Sequence, residues 1–118
     1  MTLEDFISTA ETGISKFGAD WATMLVCSSY PQRAALVYEL KTLLNGWLYN
    51  NTQVIFEHTS GAKLRIVVLN SMQDTHRCAG LQNSYIGVLG GVPSGIVTWL
   101  ASNLRDKNCI DEVAEVEF

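Results

Sequence analysis

A chain of 118 residues, 47% hydrophobic and 17% charged, is long enough for one domain core and too short for two. That apolar fraction, with a mean hydropathy of +0.13, excludes a disordered chain except at its ends. Twelve acidic against eight basic residues, a formal charge of -4, argue against broad phosphate-backbone binding and leave room for a local basic patch.

The longest apolar runs, such as Ile66-Val67-Val68-Leu69, fall far short of the roughly 20 residues that cross a bilayer. Glu4 and Asp5 stand where a signal peptide carries its basic region. The chain therefore reads as cytoplasmic, with no membrane partner. Cys27, Cys78 and Cys109 are widely spaced without a C-x-x-C, so the expectation is reduced thiols and neither a disulfide framework nor a zinc site.

Leu3, Phe6, Ile7, Ala10, Ile14 and Phe17 recur at helical spacing, which predicts a helix from Thr2 to about Gly18. Trp21 to Cys27 is short and apolar on both faces, as in a central strand covered by helices. Ser29-Tyr30-Pro31-Gln32 supplies an N-cap hydroxyl, a first-turn proline and a glutamine at the capping-box position, so a second helix starts there. Its stripe is Leu36, Val37, Leu40, Leu43, Leu44, Trp47 and Leu48, stopped by Asn45-Gly46 or Asn50-Asn51, and Tyr49 to Thr52 reads as loop.

Val54 to His58 and Leu64 to Leu69 are strand-like runs around Thr59-Ser60-Gly61-Ala62-Lys63, which predicts a β-hairpin. From Asn70 to Asn83 the periodicity fades into a polar segment, the main candidate surface. Tyr85 to Leu89 reads as another buried strand, and Pro93-Ser94 opens a third helix with Ile96, Val97, Leu100 and Leu104 on one face. Residues 109–118 read as an edge strand or an acidic tail, since Asp106, Asp111, Glu112, Glu115 and Glu117 cluster near the end. The expected fold is one small three-layer α/β domain, residues 1–118, with a sheet of about 4–5 strands including the hairpin and three helices.

Chemistry-bearing residues are sparse. Asp74, His76, Arg77 and Cys78 lie close in sequence, but catalytic partners usually come from separate elements, so a polar surface is the expected role. His58 and His76 are too few histidines for a structural zinc site. Gly87, Gly90 and Gly91 follow a strand and precede a helix, without the G-x-G-x-x-G or the Lys-Ser/Thr of a phosphate cradle, so a tight turn is expected. Trp21, Trp47 and Trp99 lie in apolar stripes and are expected in the core or an interface. No catalytic residue, metal ligand or cofactor is assigned.

The strand Trp21 to Cys27 leading through Ser28-Ser29 into a helix, the turn Thr59-Ser60-Gly61-Ala62-Lys63, the segment Arg77-Cys78-Ala79-Gly80-Leu81 and the strand Tyr85 to Leu89 follow one another in an order that resembles the ATPase core of phage terminase large subunits. The resemblance runs from Thr2 to Leu89 and implies a P-loop NTPase-type fold. Two catalytic elements of that family have no counterpart. No G-x-x-x-x-G-K-[ST] precedes the first helix, and Leu89-Gly90-Gly91 stands where the family carries Asp-Glu.

The resulting expectation is a non-enzymatic binding protein of phage or mobile-element type, in the host cytoplasm if phage-encoded. It would act on a protein partner, for example by inhibiting a host defence complex or as a packaging or replication accessory. Asp74, His76, Arg77, Asp111, Glu112, Glu115 and Glu117 are the expected contact residues. The alternatives are an accessory nucleic-acid-binding module using Lys63, Arg65 and Arg77, and a small enzyme using Cys78 and His76.

Overall fold

The computed structural model describes residues 1–78, 80–105 and 107–118. Ala79 of the Arg77 to Leu81 segment and Asp106 of the acidic cluster therefore lie outside the described residues. Three α-helices, α1 (Leu3–Phe17), α2 (Tyr30–Leu43) and α3 (Ser94–Ala101), alternate with six strands. The strands are β1 (Ala22–Cys27), β2 (Leu48–Asn50), β3 (Ile55–Glu57), β4 (Lys63–Val68), β5 (Tyr85–Leu89) and β6 (Ala114–Val116). Single 3-10 turns of helix cover Gly18–Asp20 and a longer one covers Met72–Cys78.

Local chemistry explains the helix starts. Thr2 Oγ1 accepts the Asp5 amide at 3.1 Å and so satisfies one of the donors left unpaired in the first turn of α1. Ser29 Oγ does the same for the Gln32 amide, with Pro31 in the first turn of α2 where its missing N–H costs no helical bond. At α3, Pro93 stands at the N-cap and no side chain caps the helix.

The six strands form one sheet in the order β2-β3-β4-β1-β5-β6. β4, β1, β5 and β6 run parallel, while β3 pairs antiparallel with both β2 and β4. β3 and β4 are the expected hairpin. β2 replaces part of the loop expected at Tyr49 to Thr52, and Leu48, expected on the α2 stripe, is 73% exposed on this edge strand. The reason is Gly46 at φ 91°, which ends the helix early and turns the chain back so that Tyr49 packs on Phe56 with ring centroids 4.6 Å apart. Leu104, expected on the α3 face, lies past the end of that helix and bridges to Asn83.

Alternate side chains of the central strands bury against opposite layers. On one face Leu25, Cys27, Leu64, Ile66, Val68 and Tyr85 pack against Leu3, Phe6, Ile7, Ala10 and Ile14 of α1 and Leu36, Leu40 and Leu44 of α2. On the other, Met24, Val26, Ile86 and Val88 pack against Ile96 and Leu100 of α3 and Cys78 of the 3-10 segment. The fold is thus a three-layer α/β domain. Of the two readings of the C-terminal stretch, the edge strand is realised: Val116 is buried, and Met1 and Thr2 lie along the outer side of β6, with the Glu117 amide donating to the Met1 carbonyl at 2.7 Å.

Candidate functional site

The chain leaves β1 through α2 on one face to reach β4, then crosses back over β1 on the other face to reach β5. The winding therefore reverses between β1 and β5, and in open α/β sheets the crevice at the carboxyl ends of such strands is the usual place for a ligand. Here the chain itself ties the two strand ends together across it. Gln32 Oε1 accepts from the Ser28 amide at 2.8 Å and from Ser28 Oγ at 3.1 Å, while its Nε2 donates to the Gly90 carbonyl at 3.1 Å. The expected capping-box glutamine therefore reaches one residue past the N-cap and ties α2 to the β5 end. Gly91, at φ 95°, passes so close that a Cβ would sit 2.8 Å from Ser28 Oγ, which makes the Gly90-Gly91 pair the tight turn expected of it.

Beside this network, Tyr30 opens α2 and remains 53% exposed. The Arg33 guanidinium lies over its ring at 4.9 Å from the centroid, and Arg77 Nη1 donates to its hydroxyl at 3.1 Å. Arg77 also reaches the Val68 carbonyl at 3.4 Å and pairs with Asp74 at 3.7 Å. Asp74 in turn accepts from the Asn70 amide at 3.1 Å and the Ser71 hydroxyl at 3.4 Å. These donors, the Asn70 amide foremost, hold the Asp74 carboxyl below its usual pKa despite partial desolvation. The polar segment from Asn70 is thus a braced 3-10 turn rather than a slack loop.

Of the expected contact residues, Asp74 and Arg77 come together. His76 is exposed next to them, its Nδ1 engaged by the Gln73 carbonyl. Cys78 does not meet His76: it is buried, its thiol points to Met24 Sδ at 4.0 Å, and burial raises its pKa despite nearby Arg77. Burial pushes the Cys27 thiol up to about 12. Neither buried sulfur has the lowered pKa of a nucleophilic thiolate.

The acidic cluster is divided. Glu115 and Glu117 line a recess of about 590 Å³ at the carboxyl ends of β5 and β6, together with Gln32, Gly90 and Gly91. Asp111 and Glu112 precede β6 and lie toward its other end, where the Ile110 amide bonds the Ser84 carbonyl. Since β4, β1, β5 and β6 are parallel, Arg77, Tyr30, Gly90 and Glu117 share one edge of the sheet, where these strands end. That edge carries cations and an aromatic at the β4 end and carboxylates at the β6 end, about 14 Å apart for three strand spacings.

Lys63 and Arg65 do not join Arg77. Arg77 packs by the end of β4 at Val68, about 16 Å along the strand from Lys63 and about 10 Å from Arg65. Tyr30 and Arg33 were not among the sequence-derived candidates; an aromatic and a cation lying off the apolar stripe in the first turn of α2 were the available signal.

No protein-family model, curated protein or solved structure matches the chain. Among the described residues no helix is long and apolar enough to cross a membrane.

Proposed function

We propose that this chain is a non-enzymatic binding domain of phage or mobile-element type that docks a protein partner on the carboxyl-terminal edge of its sheet. The observation carrying this reading is Tyr30, kept half in solvent yet fixed by Arg33 on its face and Arg77 on its hydroxyl. Tyrosine and arginine are the residues that dominate protein interfaces, and a side chain already held in place loses little entropy on binding. The partner would be bipolar, presenting carboxylates toward Arg33 and Arg77 and cations toward Glu115 and Glu117. A host defence complex or a packaging or replication assembly is the class of target this reading suggests.

The test is co-purification from the native host, with the parent chain and with Tyr30→Ser and Arg77→Ala variants of unchanged circular dichroism. A stoichiometric protein retained by the parent and lost by both variants is the expected result. Retention of nucleic acid alone, or undiminished capture by both variants, overturns it.

A further inference from the structure

At the opposite end of the sheet, where β1, β4 and β5 begin, lies a recess of about 330 Å³ with Lys63, Arg65, Arg105, Gln82 and Asn83 on its lining. Its floor is small because Ala22 is the β1 residue in register with Lys63, and Gly61 and Ala19 flank it. Lys63 and Arg65 project to the α3 side of the sheet, since the intervening Leu64 and the following Ile66 bury on the α1 side. Arg105 is brought over from the chain after α3, where its amide bonds the Asn83 carbonyl at 3.0 Å and its guanidinium donates to the Asp20 carbonyl.

Two features set this recess apart. Lys63, Arg65 and Arg105 line one recess and none of them is in an ion pair among the described residues; no acidic side chain is among the described lining residues, and the carboxylate next to it is that of Glu57, across from Lys63 on β3. Asn83 is 2% exposed and its Nδ2 has no hydrogen-bond partner among the described residues. Unpaired donors of this kind are rare in native proteins and call for an acceptor. We infer that Lys63, Arg65, Arg105 and Asn83 form a site for a phosphoryl oxyanion, carried either on a free mononucleotide or on a nucleic-acid strand. Two guanidinium groups give the forked geometry that phosphate oxygens accept, and the lysine adds a mobile charge. The volume suits one phosphorylated nucleoside-sized group. This site is remote from the Tyr30 edge and does not depend on the protein-docking reading.

The experiment is a titration of the full chain with inorganic pyrophosphate at ionic strength held constant with chloride, followed by backbone amide NMR shifts. Saturable shifts confined to Lys63, Arg65, Gln82, Asn83 and Arg105 are expected. Lys63→Gln and Arg65→Gln should each weaken the affinity roughly tenfold or more, as for a lost charge-assisted bond, while Lys16→Gln on the exposed side of α1 leaves it unchanged. Shifts that fail to saturate, that scatter over the surface, or that weaken equally in Lys16→Gln overturn the inference. The amide map on the unaltered chain decides the matter even if a variant misfolds. Adenosine monophosphate and a short single-stranded oligonucleotide then compete with pyrophosphate. Tighter binding by the first assigns a free nucleotide, and tighter binding by the second assigns a strand. Failure of both to compete removes the mononucleotide and the strand as carriers and overturns the inference.

Discussion

Gly13 of α1 lies against the indole of Trp21 so closely that a Cβ on it would fall 2.1 Å from Trp21 Cε2. Trp21 is also stacked with Phe17, ring centroids 5.5 Å apart, and is 4% exposed. A helix-interior glycine is thus retained because the indole occupies the space that any side chain would take.

Gly13→Ala therefore sets two effects against each other. Helix propensity favours alanine by about 1 kcal/mol, whereas forcing a methyl into a packed site costs about 1–3 kcal/mol, and at 2.1 Å the clash lies at the upper end. The expected outcome in urea denaturation is net destabilisation. In a Trp21→Leu background the same substitution should become neutral or stabilising, and persistence of the loss there would show that the indole is not its cause.

Leu40 is fully buried on the α2 stripe, packed in the same cluster as Leu36, Leu64 and Phe56. Truncation to alanine removes buried methyl groups and leaves a cavity, a cost of about 2–5 kcal/mol and a large share of a small domain's stability. The midpoint of thermal unfolding should drop accordingly. Leu48→Ala, on the exposed edge, should leave it almost unmoved.

The Asp74 carboxyl has a lowered pKa, so the sign of its linkage is that of an ordinary acid stabilised in its charged form. Its contribution is complete above the usual value of 3.8 and is lost as pH falls through the lowered folded value. Relative to its intrinsic rate at each pH, exchange of the Asn70 amide, which the carboxylate accepts, should lose protection on acidification below pH 3.8, and Asp74→Asn should remove that acid-dependent step. Exchange insensitive to both would place the segment's bracing elsewhere.

Cys27 and Cys78 are buried thiols held protonated by desolvation. Because the folded pKa of Cys27 is raised to about 12 from 9.0, the stability it contributes is complete below pH 9 and declines as pH rises from there, when only the unfolded thiol ionises. At pH 8, an aromatic disulfide reagent should leave Cys27 and Cys78 unmodified in the native chain and titrate both once the protein is unfolded in guanidinium. Rapid native modification of either would contradict its burial.

Much of the architecture was legible along the chain. The α1 stripe, the Thr2 and Ser29 starts, the two buried strands at Trp21 and Tyr85 and the hairpin around Gly61 all express chemistry between residues near in sequence: periodicity, caps and turns. Of the candidate surface, the Asp74–Arg77 pair was equally local, since residues three apart on a helical turn face each other. β2 was hidden because three residues carry too little pattern to be told from a loop, and its partner β3 gives it its conformation.

Sequence alone determined the three α-helices and the strands β1, β3, β4 and β5, because side-chain periodicity and caps act within a few residues. Only the tertiary structure decided that β1 sits between β4 and β5, that Tyr30 meets Arg77, that Glu117 parts from Asp111, and that Lys63 and Arg105 line one recess. The backbone groups that join strands are the same at every residue, so strand order is chosen by how the two apolar faces bury against their helices. Residues distant in the chain become neighbours only through that choice, and it is on those encounters that both the docking edge and the basic recess depend.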